Sequence, residues 1–490
     1  MTGLAANAES GSYPAPPEPD AETADWGKHI QRTMGLLEAS TPQSRQPVKI
    51  LFYGQSIIGG QWHVYVERAL RERYPHADLT VENRALGGYS SAYLIKTLEH
   101  DLLASQPDLV IFHVYGDHVR YEEIIHTIRQ RSSAEVMILT DHWKANSWND
   151  EKGVLEAGDW PLFMDKLLPL IAKKYACELV DVRWPWKSYL QANQLRPGDL
   201  LKDNVHLNDY GAWVMAQLTL RQMLYRPELM TEISRGLSTT YTVSAEPNAD
   251  TDLNWAGRTL NMTFRGSRVD LLRSDAGGAS CQVWVDGKRP SEWPALYQHS
   301  RTTSIGLPYE WPEIMRVGFE KAPEPQVWTL TVTGIDWENK GMTFTLEGSE
   351  TGPDGSGSSL EPFVSNSGQV AIDPEDWCLP RKMQWRGAEQ RDAYQVGARV
   401  RWRSFVRGED LYFPSGFLES DRLVRHTILS GLPNREYTLR LESDGMAPPI
   451  TAVQVYTPML PADQPFQSLG LYPGSADLDL SEISEPTPIE

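Results

Sequence analysis

Ser56, Asp203 and His206 are the residues whose types and spacing could carry covalent chemistry. Asp203 stands three residues before His206 in a loop that opens a helical stretch, so its carboxylate can turn onto the imidazole. A carboxylate placed there fixes the imidazole tautomer and stabilises the imidazolium, which a serine nucleophile requires of its base. Ser56 lies about 150 residues earlier, so any pairing with His206 is made by the fold. Ser56 also has a simpler reading, because serine is a favoured helix N-cap.

The surrounding elements must bring these residues together. Residues 50–53 form an apolar run without polar alternation, the pattern of a strand buried on both faces. The run stops at Gly54, and residues 62–70 carry apolar side chains at helical spacing. Ser56 is therefore expected at the carboxyl end of a first strand, the edge where open α/β sheets bind ligands. Backbone N–H groups at such a strand-to-helix turn point into the same space. Further strands are expected at 78–83, 109–115, 134–140 and 178–181. Helices are expected at 26–37, 92–103, 121–131, 160–175 and 210–225. This alternation implies a parallel sheet with crossover helices, a three-layer α/β/α domain over residues 26–232. Four strand-end stretches carry unusual residues: Gly54 to Ser56, Asn83 to Gly88, Tyr115 to His118, and Asp203 to His206. After the fourth strand, His142 either lines a pocket or is packed and hydrogen-bonded, and His113 inside a strand reads as structural. The run from Trp184 to Lys187 is read either as a sugar-stacking surface or as an apolar lid.

Beyond residue 235 the helical patterns give way to short β-rich runs punctuated by Gly, Pro, Asn and Asp, which reads as β-sandwich, jelly-roll-like architecture. Residues 351–359 are Gly- and Ser-rich and read as a flexible divider. The expected division is a module at 233–350 and a second at 351–462. Two paired runs, 328–332 with 342–346 and 437–441 with 453–456, would each be a closing hairpin. A single β domain with an insertion is the alternative. Residues 1–25 and the acidic tail 463–490 read as disordered or loose.

The strand-end stretches, in this order, resemble the SGNH hydrolases, the GDSL-type esterase and lipase superfamily, over about residues 48–225. The first block of that family is Gly-Asp-Ser, and Gly54-Gln55-Ser56 is similar to its variant in carbohydrate acetylesterases. The resemblance implies a flavodoxin-like domain with Ser56 as nucleophile, His206 as base and then acid, and Asp203 as the residue that orients it. It further implies an oxyanion hole from the Ser56 and Gly88 N–H groups. The third block departs from the family pattern, because Asp117 stands where the family has an Asn donor. An ionised carboxylate has no proton to donate and repels an oxyanion. Asp117 is then expected to stay protonated and donate, to turn away and leave His118 or a backbone N–H as the third donor, or to mark a site adapted to other chemistry. The second of these is preferred. Gln55, His118, His142 and Trp143 are expected against substrate. The implied activity is a serine esterase that deacetylates a carbohydrate through an acyl-enzyme, with neither cofactor nor metal. The alternatives are a glycoside hydrolase using Asp117, Asp141 and Asp203, and a non-catalytic glycan-binding protein.

Composition bounds these readings. A chain of 490 residues exceeds one ordinary core. A net charge of −19 argues against nucleic acid as partner, which needs a basic footprint. The 17 Trp and 20 Tyr suit sugar-facing surfaces and β-sandwich cores alike. Cys177, Cys281 and Cys378 are odd in number and far apart, with neither metal-ligand spacing nor a disulfide framework. No apolar run reaches membrane-span length, and residues 1–25 lack a signal-peptide pattern. A cytoplasmic location is expected, or an extracytoplasmic one if a signal has been removed. The partner is expected to be a carbohydrate or acylated glycoside, and oligomeric state is left open.

Overall fold

Five apolar runs form the central sheet of the first domain: β1 (Pro47–Gly54), β2 (Asp78–Asn83), β3 (Leu109–His113), β4 (Glu135–Leu139) and β5 (Glu178–Val180). In the computed structural model the described residues are 13–19, 23–149, 152, 154–155, 163–246, 249–273, 279–306, 311–414, 424–446 and 448–470, with the side chains of 385–390 set aside. The strands are parallel in the order β2-β1-β3-β4-β5. Every residue of β3 and β4 is buried, which is why these runs show no polar alternation.

Helices cover both faces. Alternate strand residues point to opposite sides. Ile50, Phe52, Leu109 and Met137 pack with α1 (Gln31–Glu38), α2 (Trp62–Arg73), α6 (Arg183–Ala192) and α7 (Asp209–Leu220). Leu51, Tyr53, Val110 and Val136 pack with α3 (Ser91–Leu98), α4 (His118–Arg131) and α5 (Leu168–Lys174). The expected three-layer α/β/α architecture is thus borne out. Part of the helix expected at 160–175 lies outside the described residues. Trp184 and Trp186 fall on α6, where Trp186 is fully buried and Trp184 is exposed.

The remainder is built from largely antiparallel sheets that fit β-sandwich modules, each with its own core. The division at 350/351 is corrected by the strand pairing. Strand Arg399–Val406 pairs with Gln326–Asp336 and Tyr297–His299 in a five-stranded sheet. Strand Val424–Ser443 pairs with Thr259–Arg273 and Cys281–Val285 in a seven-stranded sheet. The five-stranded sheet is therefore an insertion in the domain of the seven-stranded one, because strand partners are chosen by packing rather than by sequence proximity. Gln326–Asp336 and Gly341–Gly348 form the expected hairpin. The second expected hairpin does not exist, since Leu439 meets Met262 and Val455 meets Val269. The Gly/Ser-rich stretch is an edge strand, Gly352–Ser358, rather than a divider. At Gly357 a Cβ would lie 2.5 Å from the Phe363 ring, so this composition serves close packing.

Both terminal regions are docked where described, a second correction. Tyr13 stacks on Tyr210 of α7 at 4.0 Å, and Arg221 donates to the carbonyls of Pro16 and Pro17. At the other end, Leu469 N–H donates to Glu122 and Lys174 donates to the Gln467 carbonyl. Residues 1–12, 20–22 and 471–490 of the two stretches expected to be loose lie outside the described residues. Among the described residues no helix is long and apolar enough to cross a membrane.

Candidate active site

β1 ends at Gly54 with φ +155°, and a Cβ there would stand 2.1 Å from the His113 carbonyl of β3. Only glycine lets the chain turn this close to the neighbouring strand. The turn puts Gln55 inside, where its Oε1 accepts from the Ile57 N–H at 3.1 Å and lies 2.8 Å from Ser56 Oγ, an alternative acceptor for the one hydroxyl proton that His206 also reaches. Trp62 Nε1 donates to the Ile57 carbonyl, pinning the turn to α2. Ser56 is half-buried, two residues beyond the end of β1.

The structure brings Ser56, His206 and Asp203 together. His206 Nε2 lies 2.9 Å from Ser56 Oγ, and His206 Nδ1 lies 2.7 Å from Asp203 Oδ2. An Nδ1–H donated to the carboxylate leaves Nε2 as the acceptor, the tautomer that takes a proton from the serine. Asp203 Oδ1 accepts the N–H groups of His206 at 2.7 Å and Val205 at 2.8 Å. These backbone donors, more than the imidazole, hold its carboxyl well below the usual carboxylate range.

The Asp203–His206 loop is braced from the β4 side. His142 is fully buried and its Nε2 bonds the Val205 carbonyl at 2.8 Å. Ala145 N–H and Asn146 N–H donate to the Asn204 carbonyl and side chain. Burial pushes the His142 imidazole down to about 3, so it is a neutral donor. This corrects its placement against substrate. Trp143 is corrected likewise: it is buried, donates Nε1–H to the Arg183 carbonyl, and lies under the Arg183 guanidinium at 4.2 Å. His113 is buried as expected, with Nδ1 on the Leu139 carbonyl.

Asp117 is the N-cap of α4, where its Oδ1 accepts the Arg120 N–H at 2.9 Å. Its carboxylate is engaged as an acceptor, which agrees with the preferred expectation that Asp117 turns away and sets aside its block position as an oxyanion donor. The His118 ring stacks on Phe163 at 4.2 Å. Asp141 is buried in an ion pair with Arg183 at 3.0 Å. With Asp203 bound to His206, the three carboxylates named for a glycosidase each have another task. Among the described residues no group of three or more His, Cys, Asp or Glu side chains could hold a metal.

Gly87 and Gly88 follow β2, and a Cβ on Gly87 would lie 3.8 Å from Ser56 Cβ. Their loop is tied to β1 by Leu86 N–H on the Gly54 carbonyl at 2.9 Å. Two further neighbours escaped the sequence reading, Trp311 and Arg381, which reach this loop from the β modules. Trp311 Nε1 donates to the Gly87 carbonyl at 2.8 Å, and Arg381 Nη2 donates to the Gly88 carbonyl. No local signal marks them, because their partner is more than 200 residues away.

No family model matches the chain, and no curated protein matches it in sequence. Among solved structures it is similar to a two-domain esterase active on acetylated mannans, at 13% identity over 87% of this chain and 95% of that one, TM-score 0.33. An acetyl xylan esterase matches at 21% identity over 35% of this chain and 98% of that one, TM-score 0.30. A putative GDSL-like lipase from Parabacteroides merdae matches at 17% identity over 36% and 95%, TM-score 0.31. The first domain of this chain is thus a five-stranded parallel sheet in the order β2-β1-β3-β4-β5 between two helical layers, with the serine after β1 and the Asp–His loop before α7 meeting at one edge.

Proposed function

We propose that the protein is a serine esterase that removes small acyl groups, acetyl foremost, from a carbohydrate or glycoside. The observation that carries this reading is the continuous hydrogen-bonded relay from Ser56 Oγ through His206 to Asp203, at 2.9 and 2.7 Å. His206 Nε2 takes the Ser56 proton as Oγ attacks the ester carbonyl. The carbonyl oxygen becomes an oxyanion received by the Ser56 and Gly88 N–H groups. Collapse returns the proton from His206 to the leaving sugar hydroxyl and leaves an acyl group on Ser56. His206 then takes a proton from water, whose oxygen attacks the acyl carbonyl, and releases it as Ser56 recovers its proton. Asp203 keeps the imidazole oriented and balances its charge throughout.

The substrate class rests on two features. The block Gly54-Gln55-Ser56 resembles that of carbohydrate acetylesterases. The triad is also open, with the His206 side chain 36% and the Asp203 side chain 49% exposed, which suits a bulky polar alcohol better than a long acyl chain. The test is acetate release from a panel of acetylated sugars and a chromogenic acetate ester, with Ser56→Ala as control. Release that vanishes in the variant is expected, together with labelling of Ser56 by a serine-directed phosphonate. No release from any ester would overturn the reading.

A further inference from the structure

We infer that the β modules complete the oxyanion hole, with Trp311 as the residue that aims the Gly88 N–H. This rests on the esterase reading above. The Gly87 carbonyl and the Gly88 N–H belong to one peptide unit, which is planar and, when trans, points them in opposite directions. The Trp311 indole N–H on the Gly87 oxygen, at 2.8 Å, therefore fixes the plane in which the Gly88 N–H points. A donor on the carbonyl also polarises the amide and makes its N–H a stronger donor. The same loop passes beside Ser56, as the 3.8 Å approach from Gly87 to Ser56 Cβ shows.

Trp311 is held for this task. It is 1% exposed, meets Tyr89 edge-on at 5.3 Å, and lies 5.3 Å from the Arg381 guanidinium. Arg381 donates to the next carbonyl, that of Gly88. Two consecutive carbonyls of the glycine loop thus receive side chains from outside the α/β domain. The two side chains are tied together through their neighbours: Lys382 and Glu313 form a fully buried ion pair at 2.7 Å. Tyr394 Oη donates to the other oxygen of Glu313 at 2.7 Å. Gly88 itself has φ +78°, a left-handed conformation that glycine adopts without steric cost, and the turn is closed by Tyr89 N–H on the Leu86 carbonyl at 3.1 Å. Trp311 and Arg381 are positioning residues, acting on substrate only through the backbone they hold.

The test uses the full chain and an ester that the wild type turns over and Ser56→Ala does not. Trp311→Phe keeps the ring and removes the N–H. The expected result is a fall in kcat of about tenfold, a fraction of the loss of a whole oxyanion donor, with KM within about twofold. The inhibition constant of a boronic acid, which forms a tetrahedral adduct on the serine, should rise by the same factor, while inhibition by acetate stays unchanged. A merely structural role would not move tetrahedral and planar ligands apart. A folded Trp311→Phe with wild-type kcat and boronate inhibition overturns the inference. Should that variant not fold, Arg381→Met is measured in the same way, and unchanged kcat overturns it equally. If the wild type cleaves no ester, the esterase reading itself has failed and this inference falls with it.

Discussion

His142 holds Val205. The imidazole Nε2 meets the carbonyl of the residue just before His206, at 2.8 Å and out of reach of solvent. The triad loop thereby hangs on the end of β4, a rigid part of the sheet, although the loop is itself exposed. His142→Phe should lower kcat by about tenfold to a hundredfold through misplacement of His206, with little change in KM. His142→Gln, which keeps a donor, should recover part of the loss. Equal activity in the Phe variant and the wild type would show that the brace is idle.

Asp203 stays ionised over the working range because backbone N–H groups hold its carboxyl low. A depressed carboxyl gives stability above its unfolded pKa that is lost as pH falls through the folded one, but this side chain is open to water, so screening leaves little of that term. Asp203 should therefore add no proton of its own to the acid limb of the pH profile of kcat/KM. Asp203→Asn should lower kcat by roughly 10³- to 10⁴-fold. A two-proton acid limb would contradict this.

Asp117 caps α4, and Asn caps as well as Asp. Asp117→Asn should leave kcat and stability near wild type, whereas Asp117→Ala should cost about 1 kcal/mol of stability. A gain of about 10²-fold in ester turnover for the Asn variant, the worth of one oxyanion donor, would instead place the carboxylate against the oxyanion.

Glu178, at the start of β5, accepts the N–H groups of Gly27 and His29, yet burial pushes its carboxyl up to about 7. The folded chain then keeps a proton that the unfolded chain releases from about pH 4.5 upward. Stability should fall as pH rises from that point to about 7, by up to about 3 kcal/mol. Glu178→Gln should remove this dependence. Urea unfolding of both proteins at pH 5 and pH 8 checks it, and a pH-independent difference between them refutes it.

What could be read in the sequence was what is local or strongly periodic. The buried runs of β1, β3 and β4 carry their own signature, because both faces of a parallel strand are covered. The Asp203–His206 spacing is a local turn, so its geometry follows from four consecutive residues. Where long-range pairing decides, the reading went astray. Gly352–Ser358 has linker composition but lies against a neighbouring strand, where glycine allows the Phe363 ring to approach. Tyr13 and Leu469 sit in stretches of low hydrophobicity, yet each finds a partner on a helix of the first domain. Asp117 turns away from the oxyanion, and what its block position does not reveal is where the carboxylate goes: an Asp before a helix caps it. Trp311 and Arg381 had no signature, since nothing in their own neighbourhood records the glycine loop they serve.

The nesting of one β sheet inside the other also governs how the chain comes off the ribosome. Leu260 emerges early, but its strand partner Leu441 follows only after the whole inserted module. At synthesis rates of about 5–20 residues per second, the strand Thr259–Arg273 waits on the order of ten seconds or more with an edge unpaired. The nascent protein therefore passes through an interval in which an unfinished sheet is open to pairing with another chain. Its yield should depend on chaperone supply and elongation speed more than on the stability of the finished fold.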